Sequence, residues 1–212
     1  MGLVQEPQSS NEWEYNGCVI PLDLYYDIET QTWLRVNEDG TVTMGLTDVG
    51  QVRAGRLLHA RIKDKGKVIK KGKPVASLES GKWAGPINAL VEGEVIERNE
   101  KVLEQPDIIN YDPYGEGWIV KMKPFDLERD LKDLLYGKDA IEEMRKYIDE
   151  WDIICMRCTV RTLVALVYGL AVGRVYDLLG KVKVIVAYNP GEYDKVPVPR
   201  YIHTINYKPL FS

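Results

Sequence analysis

A single lysine stands among turn formers in the segment Leu78-Glu79-Ser80-Gly81-Lys82-Trp83-Ala84-Gly85-Pro86. Gly81 and the Gly85-Pro86 pair favour turns. Lys82 is therefore expected at the exposed tip of a hairpin, held out by rigid strands where another enzyme can modify it. The competing reading is an ordinary solvated surface charge. Trp83 beside it suits either contact with a partner, shielding of a group attached to the lysine, or simple packing. A second chemistry-bearing group is Cys155-Met156-Arg157-Cys158. Its i, i+3 thiols would share one helix face, a spacing that suits dithiol redox work or half of a zinc site. No second C-x-x-C is present, and only His59 and His203 are available to complete a ligand set. The reading favours ordinary reduced cysteines at 155 and 158, and no metal.

Composition narrows the classes. The chain has 212 residues, with 28 Lys+Arg against 32 Asp+Glu, a formal net charge of −4, two histidines and three cysteines. That balance argues against a basic nucleic-acid binder. An odd, small cysteine count does not make a disulfide framework, so a reducing, cytoplasmic setting is the simpler expectation. With so few histidines and cysteines, the chain has little of its own with which to do redox or nucleophilic chemistry. No targeting pattern is read at the N-terminus. The most apolar run, Thr162 to Gly173, is shorter than the roughly 20 residues a membrane helix needs. It reads as a buried helix, with no membrane span.

The elements that must position Lys82 can be laid out. Residues 1–17 read as a polar, flexible tail. From Cys18 to about Pro124 short alternating runs and glycines dominate. Thr32–Val36, then Glu38-Asp39-Gly40, then Thr41–Leu46 is strand, turn, strand. From Asp126 to Trp151 the period changes to helical, with Leu127, Leu131, Leu134 and Leu135, then Ile141, Met144 and Ile148, in two helices punctuated by Gly137. Residues 152–212 add the apolar helix, a strand at Lys181–Tyr188 and a Pro- and Tyr-rich end. An internal repeat lies either side of Lys82: Gly66–Val75 and Gly93–Val102 share the pattern G-x-V-I-x-x-[G/N]-x-x-V. Gly72 and Asn99 fall in the same place, and both residue types tolerate the left-handed conformation of a tight turn. Two copies of one strand–turn–strand unit would put Lys82 on a pseudo-symmetry axis.

These residues resemble a known family. Gly45-Leu46-Thr47-Asp48, Leu78-Glu79-Ser80-Gly81-Lys82, Gly93–Asn99, Pro106-Asp107-Ile108-Ile109-Asn110 and Asp112–Trp118 occur in the order and spacing of the glycine cleavage system H proteins. The resemblance runs from about Asp23 to Trp151. It implies the lipoyl-domain fold (a barrel-sandwich hybrid): mainly β, a flattened sandwich of antiparallel sheets, with C-terminal helices. It implies a carrier rather than an enzyme. Lipoic acid would be attached covalently to Lys82, where the family's E-S-V-K reads E-S-G-K, with Glu79, Ser80, Gly81 and Trp83 supporting. Partners would be a lipoate-protein ligase or lipoyl synthase system and the client enzymes that load and unload the arm. Biotinyl carriers fit less well, because that family flanks its lysine with methionines.

Departures from the family pattern carry information too. A His-Glu-Trp triplet opens the family's first strand; here it is Gln31-Thr32-Trp33. A family aspartate after the modified lysine aligns with Pro86. Those carboxylates help hold a protonated aminomethyl cargo, and an unpaired buried ammonium is costly. Glu79–Pro86, ESGKWAGP, also resembles the lipoate-binding proteins of heterodisulfide-reductase-like sulfur-oxidising systems. The expected role is a lipoyl swinging arm, with a heterodisulfide-reductase-like complex as client. Glycine decarboxylase components are the alternative, and an unmodified interaction protein on the same fold is a further one. The expected domains are the tail 1–17, the lipoyl domain with its helices 18–151, and an α/β extension 152–212 of unassigned role.

Overall fold

A computed structural model describes residues 11–155 and two short paired strands, Val175–Tyr176 and Val182–Lys183. The chain divides into two compact units, Met1–Cys155 and Met156–Ser212. In the second unit, the apolar run 162–173, Cys158 and His203 lie outside the described residues, as does most of the segment 181–188. Everything below concerns the first unit.

Its strands are β1 (Glu12–Tyr15), β2 (Cys18–Pro21), β3 (Tyr25–Asp27), β4 (Thr32–Val36), β5 (Val42–Leu46), β6 (Leu57–Ile62), β7 (Val68–Ile69), β8 (Pro74–Ser80), β9 (Ala84–Asn88), β10 (Gly93–Arg98), β11 (Val120–Pro124) and β12 (Leu135–Tyr136). Helices are α1 (Asp48–Ala54), α2 (Glu100–Glu104), α3 (Ile108–Tyr111), α4 (Leu127–Leu131) and α5 (Gly137–Glu150). Seven strands form an antiparallel sheet in the order β12-β3-β4-β5-β11-β10-β7. A three-stranded sheet, β6-β8-β9, and the hairpin β1-β2 are separate from it. Neither larger sheet closes into a barrel.

The alternation of a strand explains how one chain serves two cores. In β4, Leu34 joins a cluster with Met44 of β5, Leu57 of β6, Leu78 of β8, Ile87 of β9, Val95 of β10 and Met122 of β11. Its neighbour Trp33 points the other way, into a cluster with Ile20, Leu24, Tyr26, Tyr114, Ala140, Met144 and Ile148. The Trp33 indole N–H donates to the carbonyls of Leu46 and Pro113, and its ring covers Gly45, where any side chain would collide with it. Helix α5 closes this second core with Ala140, Met144 and Ile148, one face at i, i+4, i+8. Ile141, expected in that face, is only half-buried. Leu135 belongs to β12, paired with Tyr26 of β3, rather than to a helix.

The internal repeat is structural, but its second half diverges. The two copies meet, since β7 and β10 pair antiparallel with Ile69 opposite Gly93 and Val68 opposite Glu94. Gly72 takes the expected left-handed conformation, φ +77°, and the chain continues into β8. Asn99 does not: its φ is −80°, and its side chain caps α2 by accepting from the Lys101 N–H. Its amide also donates to the carbonyls of Glu116 and Trp118. An asparagine whose side chain is used this way favours the helix cap over the turn.

Two further expectations are corrected. The tail expected over 1–17 contains β1, which pairs with β2 from Glu12↔Pro21 to Tyr15↔Cys18. The turn between them is Asn16-Gly17, with φ of 50° and 74°, the dipeptide best suited to a two-residue hairpin. Trp13 and Tyr15 alternate with exposed glutamates and stack on one another. The cysteines are not all reduced either. Cys18 and Cys155 form a disulfide, both buried. Cys155 is therefore neither a thiol paired with Cys158 nor a metal ligand. The pairing arises because the Asn16-Gly17 turn meets the end of the chain's helical segment: the Cys155 N–H donates to Asn16 O, and a side chain on Gly17 would strike the Cys155 carbonyl.

Candidate functional site

Lys82 lies in the turn between β8 and β9, exposed, as are Glu79, Gly81 and Trp83. What holds this tip is Ser80. Its hydroxyl donates to Ala54 O at 2.6 Å and accepts from the backbone N–H groups of Lys82 (3.2 Å) and Trp83 (3.1 Å). The Ser80 N–H donates in turn to Trp83 O at 2.7 Å. A hydroxyl has one donor and two acceptor positions, and this one uses them all. Ser80 therefore both shapes the turn and ties it to the C-terminal end of α1.

Gly55 completes the platform. It ends α1 at φ +76°, a conformation that favours glycine. It also lies against the lysine: a Cβ there would sit 2.8 Å from Lys82 Cε and 3.6 Å from Nζ. The bare backbone makes a cradle along which the lysine stem runs. Gly81, by contrast, is not left-handed, and the space around it is open. The expectation that the turn needs glycine there for its backbone is not met; what the glycine leaves is access. Trp83 folds back over Gly85, where any side chain would clash with its ring, yet remains 37% exposed. Packing and exposure coexist in it. Glu79 stands opposite His59 and Ala84 on neighbouring strands.

A polar layer beneath fixes α1. The Asn110 amide donates to Gln51 Oε1 (3.0 Å) and Gly55 O (2.9 Å), and Asn110 Oδ1 accepts from the Leu57 N–H (3.0 Å). Gln51 donates to Asp48 Oδ1, and Asp48 Oδ2 accepts from the Val19 N–H. Arg56 pairs with Asp107 at 3.2 Å. So the Pro106–Asn110 motif, remote in sequence from Lys82, clamps the segment on which the lysine rests. The motif's resemblance alone does not show this role; the signal in the sequence is an asparagine and an aspartate close together, residues suited to binding backbone groups.

Thr32, in the place of the family glutamate, is fully buried, and its hydroxyl engages Thr30. Gln31 is buried beside it and accepts from Thr47. Pro86 lies on β9, an edge strand where a missing N–H is tolerated. Trp118 is half-buried with Lys121 over its ring. Among the described residues, no group of three or more His, Cys, Asp or Glu could hold a metal, and no helix is long and apolar enough to cross a membrane.

The site's chemistry is that of an amine presented on a turn tied to the end of α1. Comparison with known proteins agrees with that arrangement. The model of the family described as glycine cleavage H-protein matches residues 24–147. "Glycine cleavage system H protein 3" of Aquifex aeolicus is 67% identical over 157 residues, covering 73% of this chain and 98% of that one. "Probable glycine cleavage system H protein 2" of Saccharolobus solfataricus is 45% identical over 144 residues, covering 67% and 97%. The crystal structure of a glycine cleavage system H protein from Mycobacterium marinum matches with a TM-score of 0.52 at 24% identity, covering 63% of this chain and all of that one, a likeness of fold. The chain belongs to the glycine cleavage H-protein family, whose members are not enzymes but carriers with lipoic acid attached to a lysine.

Proposed function

We propose that Lys82 is the lipoylated residue and that the chain is a swinging-arm carrier between partner enzymes. The observation that carries this reading is the Ser80–Gly55 platform. It presents one lysine at a rigid tip, with its stem on a bare glycine and open space beside Gly81. The attached group supplies a dithiolane that opens and closes by thiol–disulfide exchange. The protein's own residues do the rest. Ser80 holds the turn, Gly55 leaves room for the stem, and Glu79, Gly81 and Trp83 offer a surface to the lipoylating enzyme. Tethering replaces diffusion and raises the effective concentration of the cargo at each partner.

The names of the relatives favour glycine cleavage, with a lipoate ligase and glycine decarboxylase components as partners. A second reading, a client of the heterodisulfide-reductase-like sulfur-oxidising type, is favoured by Thr32 and Pro86. Neither offers a carboxylate where the family uses one to hold an ammonium. The cytoplasm is the compartment proposed for either role, and the extension expected from residue 152 is proposed to begin after Cys155, because Ile153 and Cys155 belong to the core of the first unit.

The test is intact mass after co-expression with a lipoate ligase: one lipoyl adduct, located on Lys82 and lost in Lys82→Arg. An unmodified lysine in the native host, or full function of Lys82→Arg there, would favour the unmodified interaction protein. Incubating the lipoyl chain with glycine decarboxylase, unlabelled glycine and labelled bicarbonate, and following exchange into the glycine carboxyl group, separates the two pathways. Label entering glycine supports the first, and its absence supports the second.

A further inference from the structure

The segment that follows α5 has few ties to the first unit. Asp152 takes a left-handed φ of 47°, a conformation that costs an L residue energy. Beyond it, the Ile153 N–H donates to Ile148 O and the Cys155 N–H to Asn16 O, each at 3.0 Å, and the Asn16 amide reaches Ile153 O at 3.5 Å. The covalent tie is the disulfide from Cys155 to Cys18. It latches this segment to the β1–β2 hairpin, a two-stranded sheet of its own, of a kind that is marginal alone. Both cysteines are buried, so attack on either sulfur waits for residues 152–155 to open.

The third cysteine, Cys158, stands three residues after Cys155. It lies outside the described residues, but the covalent chain limits its distance: its Cα is never more than about 11 Å from that of Cys155. A disulfide needs the two Cα atoms within about 7 Å, well inside that limit. By loop length alone, an unfolded chain favours Cys155–Cys158 over Cys18–Cys155 roughly two-hundredfold. What selects the observed pairing is the packing of Cys18 and Cys155 with Ile20, Met144 and Ile153.

We propose that Cys18, Cys155 and Cys158 form a thiol–disulfide exchange site in which Cys158 displaces Cys18 from Cys155 and unlatches the β1–β2 hairpin. The Cys158 thiolate attacks Cys155 Sγ; the Cys155–Cys158 bond forms, the Cys18–Cys155 bond breaks, and Cys18 leaves as a thiolate that takes up the proton Cys158 gave away. No outside oxidant or reductant is consumed. The site is independent of Lys82 and its modification.

The test uses the full chain, oxidised with glutathione disulfide and held folded near pH 8 with dilute iodoacetamide. Samples are quenched in acid, cut with pepsin without reduction, and mapped by mass. Cys158 should be modified in most chains. Cys18 should be modified, with Cys155 linked to Cys158, in at least about one chain per hundred, a yield that local opening supplies and global unfolding does not. The ratio should not change over a tenfold range of protein concentration. Cys158→Ser keeps the disulfide and removes the attacking thiol, so Cys18 should stay unmodified. A smaller Cys18 yield, an equal yield in Cys158→Ser, a yield that rises with protein concentration, or modification at Cys155 instead would overturn the proposal. So would an oxidised chain that holds no Cys18–Cys155 bond. The yield and the concentration series are read on the unchanged protein and do not depend on how the variant folds.

Discussion

The Cys18–Cys155 disulfide allows its contribution to be worked out from the chain. It joins residues 137 apart, so it closes nearly the whole first unit into a loop. In the chain-entropy account, a cross-link over a loop of this length removes about 5 kcal/mol of conformational freedom from the unfolded state. Both sulfurs are buried against Ile20, Met144 and Ile153 in the second core, so the folded state keeps its packing when the bond opens. For a domain of this size, each kcal/mol shifts the melting temperature by about 2–4 °C. Reduction should therefore lower Tm by roughly 10–20 °C. The measurement is calorimetry on the oxidised protein and on protein reduced under denaturing conditions and refolded, with the thiol state checked by mass. The Cys18→Ala/Cys155→Ala double variant, which cannot reoxidise, should melt near the reduced protein. Melting points within about 2 °C of each other, with free thiols demonstrated, would refute the reasoning. That outcome would mean that the unfolded chain is already compact near its ends.

Three other outcomes are expected. Ser80→Ala leaves the buried Ala54 carbonyl without its partner and should cost about 1–3 kcal/mol; denaturant melts measure the loss, and a slower rate of lipoylation by the ligase, read by mass, marks the loosened tip. Asn110→Ala removes the clamp on Gln51, Gly55 and Leu57 and should destabilise by about 2–3 kcal/mol; a change in denaturation midpoint below a tenth of that expected would count against the clamp. Burial works against charge on Asp130, but the Arg129 guanidinium and the Glu92 N–H hold its carboxyl below the usual carboxylate range. Its contribution is then fully present above about pH 4, the unfolded value, and is lost as pH falls through the lower folded value. Asp130→Asn should narrow the stability gap between neutral and strongly acidic solution, read from denaturation midpoints across that range. An unchanged acid limb in the variant would remove Asp130 from the account.

Much of the fold was legible because its signals are local. Strands β4 and β5 with their Asp-Gly turn, the change to helical period after Pro124, and the β8–β9 hairpin around Lys82 rest on alternation, periodicity and turn chemistry within short windows. Asn16-Gly17 was equally legible as a hairpin turn, but a polar composition hid it behind the look of a tail. The repeat was legible as a match, and β7 pairs with β10 as duplication suggests. The different fate of Asn99 was not, because whether its amide caps a helix depends on where Glu116 and Trp118 lie.

By itself, the sequence determined a lysine between turn formers, the motifs of a carrier family, and a scarcity of side chains able to do chemistry unaided. Tertiary structure decided what holds that lysine. Ser80 meets Ala54, Asn110 meets Gly55, and Cys18 meets Cys155 across separations of 26, 55 and 137 residues. Hydrogen bonds and disulfides need atoms within a few ångströms, and no local period or propensity encodes which distant segments arrive there. Residue types announced what could be attached to the chain; the packing of α1 beneath the hairpin decided what holds the lysine in place.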